Sequence, residues 1–440
     1  MKIPRKLLTA LLLAVAVAAA GLAQTFKVIA GKNLNLVRLD LQKVFGSDLD
    51  FDGLEVSLFP RPGFLVKGIR VADDTRFAAT PVFRTRELIL GVHLWNLVRG
   101  RIVIDSLIFK ESELQVITDE AGMLNLTALI GRRKGLRLFP RMDAITLDNK
   151  PGGVSFAIRE LQVRGGRIDY LDRSVQGAAE LQIRNIDLTV RGFNPTETMG
   201  IRVAAALADG LSQDVRIDGE FGPQEADKLW SQRPIEVAIR FDSLYAPVIA
   251  RAVAALRDRF PRALNVTGPM ALQAKVSGTI ERPKIDDFSL KIPLFGSSEY
   301  NAVATGAIAF SERRSWATAE LDGKLSVTSV DIDRLRDLPF VAQLVPPAMT
   351  ANGAVSIFSR VEGSWEALRV GALLVANRAE FRFHDWLQKP AGVAAEIRTG
   401  ISRQKHKILF HESQFVVGAV KTQFTGSVET LPVPRVSLLI

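Results

Sequence analysis

Short runs in which apolar and polar residues alternate recur along most of this chain. Leu161-Gln-Val-Arg164, Arg167-Ile-Asp-Tyr-Leu171, Leu181-Gln-Ile-Arg184 and Ile186-Asp-Leu-Thr-Val190 are examples. Side chains of an extended backbone point alternately to opposite sides, so this period of two specifies strands with one apolar and one wetted face. Antiparallel sheets tolerate that asymmetry, and Gly, Pro, Asn and Asp between the runs supply the turns. Helical spacing is confined to three places: Leu36 to Phe45, Leu244 to Phe260 before Pro261, and a shorter stretch from Ile332 to Leu344.

Two internal repeats say how the strands are organised. Ile104-Asp-Ser-Leu107-Ile-Phe109, followed by Leu114 and Val116, recurs 54 residues later as Ile158-Arg-Glu-Leu161-Gln-Val163, followed by Ile168 and Tyr170. Gly268 to Gly278 matches Gly353 to Gly363 at a distance of 85 residues. Each of these glycine-bounded copies follows a helical stretch and precedes another strand, Ile285 to Leu290 or Leu368 to Val375. A repeating sheet accounts for this better than one compact sandwich.

The start of the chain addresses it outward. Met1 to Lys6 carries three positive charges, and Leu7 to Ala23 is apolar apart from Thr9 and Gly21. This is the pattern of an export signal or of an uncleaved anchor with its N-terminus in the cytoplasm. Either reading exports the rest. The chain has no cysteine among its 440 residues, which excludes disulfides, a thiol nucleophile and thiolate metal sites. A net charge of +10 invites a nucleic-acid reading. Export, the scatter of the basic residues and a 7% aromatic content argue against it. One dense cluster, Arg132, Arg133, Lys134, Arg137 and Arg141, reads either as a solvated linker or as a contact to anionic lipid heads.

Nothing in the sequence assembles a catalytic constellation. The four histidines have no metal-ligand spacing, and neither a G-x-S-x-G elbow nor a phosphate loop occurs. The acid pairs Asp73-Asp74, Asp119-Glu120 and Asp286-Asp287 sit where turns or strand ends are expected, and Asp322-Gly323 reads as a turn. We expect no enzyme activity, no cofactor and no metal.

Near the start, Leu54 to Leu58 and Phe64 to Val71 read as strands joined by Phe59-Pro-Arg-Pro-Gly63. Both prolines fix φ and neither can donate to a ladder, so this is a rigid corner. Its glycine is expected to supply a φ that other residues resist. The corner, then Ala72-Asp-Asp74, Gly100-Arg-Ile102 and Asp119-x-x-Gly122-x-x-Asn125-Leu126, occur in the order that characterises the AsmA family of Gram-negative envelope proteins. Residues 54–126 resemble that family's N-terminal module, and residues 154–191 are similar to it.

The resemblance implies one N-terminal transmembrane helix in the inner membrane, with the bulk in the periplasm. It implies a mainly β fold: an elongated, repeating antiparallel sheet folded as a trough with an apolar inner face, and a few short helices. On this reading residues 1–25 are the anchor or signal and 26–150 the N-terminal module. Residues 151–235 are a second β module, and 236–440 are repeating β segments. Phospholipids are the expected partners, with envelope proteins as further ones. Candidate groove residues are Leu107, Phe109, Leu114 and Val116 with their repeats Leu161, Val163, Ile168 and Tyr170. The expected role is outer-membrane biogenesis by holding or moving acyl chains. The alternative is a non-catalytic assembly factor for outer-membrane proteins that works through protein contacts.

Overall fold

The computed structural model describes residues 49–57, 62–93, 96, 102–127, 154–174, 179–192, 197–207, 212–223, 230–248, 265–310, 318–336, 349–364, 367–384, 387–404, 407–429 and 435–439. The expected anchor, the helix at 36–45 and the basic cluster at 132–141 lie outside these residues. Among the described residues no helix is long and apolar enough to cross a membrane. Strands dominate, and the chain divides into two compact units, Met1–Gln213 and Asp214–Ile440.

The sheet of the first unit is built from β1 (Leu49–Asp50), β2 (Gly53–Ser57), β3 (Gly63–Val71), β4 (Phe83–Val92), β5 (Ile102–Thr118), β6 (Val154–Asp172), β7 (Ala179–Arg191) and β8 (Met199–Leu207). β1 and β2 are two pieces of one edge, both paired to β3. From β3 onward each strand pairs with the next. All these pairings are antiparallel except β5–β6, which is parallel. The all-antiparallel expectation is therefore corrected at this point. β6 starts beside the start of β5, with Val154 next to Ile102, as a parallel neighbour requires.

β2 and β3 pair as the expected hairpin, with Ser57 opposite Gly63, while residues 58–61 of the corner lie outside the described residues. Its glycine has a different reason from the expected one. Gly63 is not left-handed; a Cβ there would run into the Leu90 carbonyl oxygen of β4.

The second unit holds a continuous antiparallel meander. Its strands are β9 (Val215–Phe221), β10 (Ile235–Leu244), β11 (Met270–Gly278), β12 (Pro283–Ile292), β13 (Ala302–Ala309), β14 (Glu320–Asp331), β16 (Ala354–Gly363), β17 (Arg369–Val375), β20 (Ala395–Gln404), β21 (Lys407–Val417), β22 (Val420–Glu429) and β23 (Arg435–Leu439). A separate small sheet contains β15 (Met349–Asn352), β18 (Glu380–Phe383) and β19 (Leu387–Lys389). A short helix, α1 (Ile332–Arg336), precedes β15. Of the stretch read as helical from Leu244 to Phe260, Leu244 closes β10, residues 246–248 are helical, and residues 249–260 lie outside the described residues.

The 85-residue repeat is a real structural repeat. Gly278 ends β11 at φ 96° and Gly363 ends β16 at φ 94°. A Cβ on either would lie 2.5 Å from a carbonyl oxygen across the turn, that of Arg282 or of Ala367. Both glycines serve the same tight return into the next strand. Asp322-Gly323, read as a turn, lies inside β14. There Gly323 faces Gly306 of β13, and the two backbones approach too closely for a side chain on Gly306.

Candidate functional site

The 54-residue repeat is the register of the parallel pair. Leu107 lies beside Leu161, Phe109 beside Val163, Leu114 beside Ile168 and Val116 beside Tyr170. All eight candidate groove residues are therefore brought together, each next to its repeat counterpart. Their spacing has an odd step between 109 and 114, which would put the two halves on opposite sides of a regular strand. A row of left-handed residues resolves this: Gly68 (φ 62°), Glu111 (φ 50°), Gly165 (φ 65°) and Asn185 (φ 50°) lie on β3, β5, β6 and β7. The alternation switches sides there. Ile69 consequently packs in the same core as Phe64 and Val66, and the Phe83 and Phe109 rings meet edge-on at 5.9 Å.

Apolar rows then cross the whole first sheet. One runs through Phe64, Leu90, Leu107, Leu161, Val190 and Ile201. The next runs through Val66, Leu88, Phe109, Val163, Leu188 and Val203. A third links Phe83, Leu114, Ile168, Ile183 and Leu207. Burial changes along the rows. Phe64, Leu90 and Leu107 (6% exposed) belong to a packed core, so Leu107 is part of the interior. Phe109, Leu114, Val116, Leu161, Val163, Ile168 and Tyr170 are half-buried. The opposite side of β3–β5 carries the buried Ile89 and Ile108 and, beside them, a chain of charges from Glu55 through Lys67 and on to Glu87 and Lys110. The Lys67–Glu55 pair closes at 2.7 Å and the Lys110–Glu87 pair at 2.9 Å. The Lys110 hydrogen bond holds the Glu87 carboxyl below its usual range.

The second sheet repeats the division without sequence identity to the first. Ile239, Ala274 and Phe288 are successive register partners on β10–β12. After Gly306 and Gly323 the row continues through Val361, Val370, Ile401 and Phe410. These side chains are half-buried, whereas their neighbours on the other side, among them Arg240, Gln273, Lys324 and Arg360, are exposed. Among the described residues, the main cover lies over one end of the strands. There Val327, Val330, Val355 and Ala395 are buried, packed with α1 and the small sheet. Sequence reasoning missed this second set of rows as a site, although the alternation on each strand marks it.

Four of the residues that carry the family resemblance, Asp73, Asp74, Asp119 and Asn125, make a set of polar contacts near the ends of β3 and β5. Asn125 is fully buried (0% exposed) and makes four hydrogen bonds. Its Oδ1 accepts from the N–H groups of Ile117 (3.0 Å) and Leu126 (2.9 Å). Its Nδ2 donates to Asp73 Oδ2 (2.9 Å) and to the Gln115 carbonyl (3.0 Å). Asp119 Oδ1 accepts from Ala121 and Met123 N–H, forming the expected turn, with Gly122 at φ 79°. Asp74, also buried, accepts from the Arg76 N–H and guanidinium. Asp73, Asp74 and Asp119 thus hold loops together. Asp286-Asp287 instead marks a register shift within β12. No cluster of three or more metal-ligating side chains occurs among the described residues.

A model of the AsmA family matches residues 1–221. No curated protein and no solved structure matches the chain.

Proposed function

Because the chain belongs to the AsmA family, we propose that it is a non-catalytic envelope protein that holds or moves phospholipid acyl chains along its apolar sheet faces. The observation that carries this reading is the run of half-buried apolar rows across successive strands of both sheets, with the main cover among the described residues of the second lying over one end. Each methylene taken out of water contributes about 0.8 kcal/mol, so acyl chains would bind such a surface firmly. Val, Ile, Leu and Phe dominate these rows, and the small polar side chains of Ser359 and Thr399 in the adjacent row of the second sheet are uncharged, so the surface offers no deep single well, which suits sliding over fixed capture. The charged opposite faces keep the sheets soluble. The chain would stand in the periplasm, tethered by an inner-membrane anchor at residues 1–25. The cluster Arg132, Arg133, Lys134 and Arg137 would meet anionic heads.

The test is native mass spectrometry, with lipid extraction, of the full chain purified from bacterial envelope. Phospholipid should accompany the wild-type protein. It should be depleted in Val163→Asp and Val370→Asp, which place charge in the rows, and retained in Glu236→Lys on the exposed side. Protein that carries no phospholipid, or a Val370→Asp variant that keeps a full load, would overturn the reading. Stable protein partners with no lipid would favour the assembly-factor role instead.

A further inference from the structure

We propose that the charged side of the second sheet carries a separate binding site for a phosphate ester with an apolar body, floored by Gly371 and Gly400. These two glycines are register partners in the middle of β17 and β20. Neither is left-handed. A Cβ on Gly371 would meet nothing within 4 Å, and one on Gly400 would make ordinary contacts of 3.5 Å with His411. Mid-strand glycine weakens a sheet, and it is usually retained for backbone approach or special φ. Gly306 and Gly323 have such a reason; Gly371 and Gly400 do not. What they provide is space, and a concavity of about 760 Å³ opens over them.

The rim has the chemistry of an anion site with an apolar shoulder. Lys324 and Arg360 are partners in the same row as the glycines, and Arg398 stands in the next row beside Leu373 and Phe358. Lys324 and Arg398 have no ion pair or side-chain hydrogen bond among the described residues. Arg360 is engaged by Glu362 at 2.5 Å and by Asp322 at 3.8 Å. His411 Nε2 is bonded to Ser402 Oγ at 2.7 Å, and Glu412 is the carboxylate on the rim. Two uncommitted cations, one a planar fork and one a mobile point charge, suit a phosphate. The Phe358 ring, 40% exposed, offers a face to the organic part of the ester. Side chains of β17 alternate, so this site lies on the opposite side from the apolar row through Val370 and is independent of the proposed acyl track.

The experiment is calorimetric titration of the full chain with 2-naphthyl phosphate, with 2-naphthol as the probe lacking the anion. Saturable binding of the phosphate and none of the alcohol is expected. Arg398→Gln and Lys324→Gln should each weaken it by about tenfold or more, the loss of one charge-assisted hydrogen bond. Gly371→Val should abolish it while leaving the melting temperature unchanged or higher, because the new side chain meets only open space. Stronger competition by dioctanoyl phosphatidate than by glycerol 3-phosphate would assign the site to lipid head groups. Equal competition would assign it to soluble esters. Absence of saturable binding, or binding unchanged in Gly371→Val and Arg398→Gln, would overturn the proposal.

Discussion

Replacing Asn125 tests whether the motif residues are structural. Its side chain satisfies two backbone N–H groups and one carbonyl from a site with no access to water, and it is tied to Asp73 across 52 residues of sequence. Asn125→Ala leaves the Ile117 N–H and the Gln115 carbonyl without this partner. Each buried orphan costs about 1–3 kcal/mol, so the expected loss is roughly 2–6 kcal/mol. Asn125→Asp separates geometry from charge. It keeps both acceptors but turns a carboxylate toward Asp73 where an amide donated. Like-charge repulsion and burial raise the folded pKa of the introduced carboxyl. The folded state then holds that proton more tightly than the unfolded chain. The penalty is therefore absent below the unfolded pKa of about 3.9 and complete above the folded value. Hydrogen exchange of the β5 amides against denaturant, followed from pH 4 to pH 8, reads local stability in the first unit. A loss under about 1 kcal/mol for Asn125→Ala, or a pH-independent Asn125→Asp, would refute the pinning role.

Gly63→Ala should destabilise the β2–β3 hairpin by about 1–3 kcal/mol through collision with the Leu90 carbonyl. Gly53→Ala, which meets nothing, should stay within about 0.5 kcal/mol by the same exchange measurement. Glu87→Gln should cost about 1 kcal/mol at neutral pH, since the pair with Lys110 is only a quarter to a third exposed. The Glu87 pKa is depressed on folding, so its contribution is present above the unfolded carboxylate pKa and disappears as pH falls through the folded value. Glu87→Gln should remove that acid slope in urea melts. Lys389 is 1% exposed, lies 5.5 Å over the Phe381 ring, and donates to the carbonyls of Asn377, Ala379 and Pro390; burial lowers its pKa. The folded state therefore binds its proton less tightly, and stability of the second unit should rise with pH toward the ordinary lysine pKa of about 10.4. Lys389→Met should flatten that rise.

What the sequence determined by itself is local. Alternation in runs such as Leu181-Gln-Ile-Arg184 is a direct consequence of extended geometry, so the β class was legible from it. Turn chemistry announced the hairpin at Pro60 to Gly63 and the turn at Asp119, and the Gly278 and Gly363 copies announced repeating strand pairs. The 54-residue repeat was legible as a similarity, but not as a parallel pairing, because parallel and antiparallel strands use nearly the same dihedrals. Only the tertiary structure decided which strand lay beside which. With that came the switch of sides at Glu111 and Gly165, and the division of the eight candidates into packed Leu107 and seven half-buried neighbours. The meeting of Asn125 with Asp73, the collision that explains Gly63, and the empty floor at Gly371 and Gly400 came the same way. Each depends on the distance between segments far apart in the chain, and a strand's own dihedrals hold no record of its neighbour.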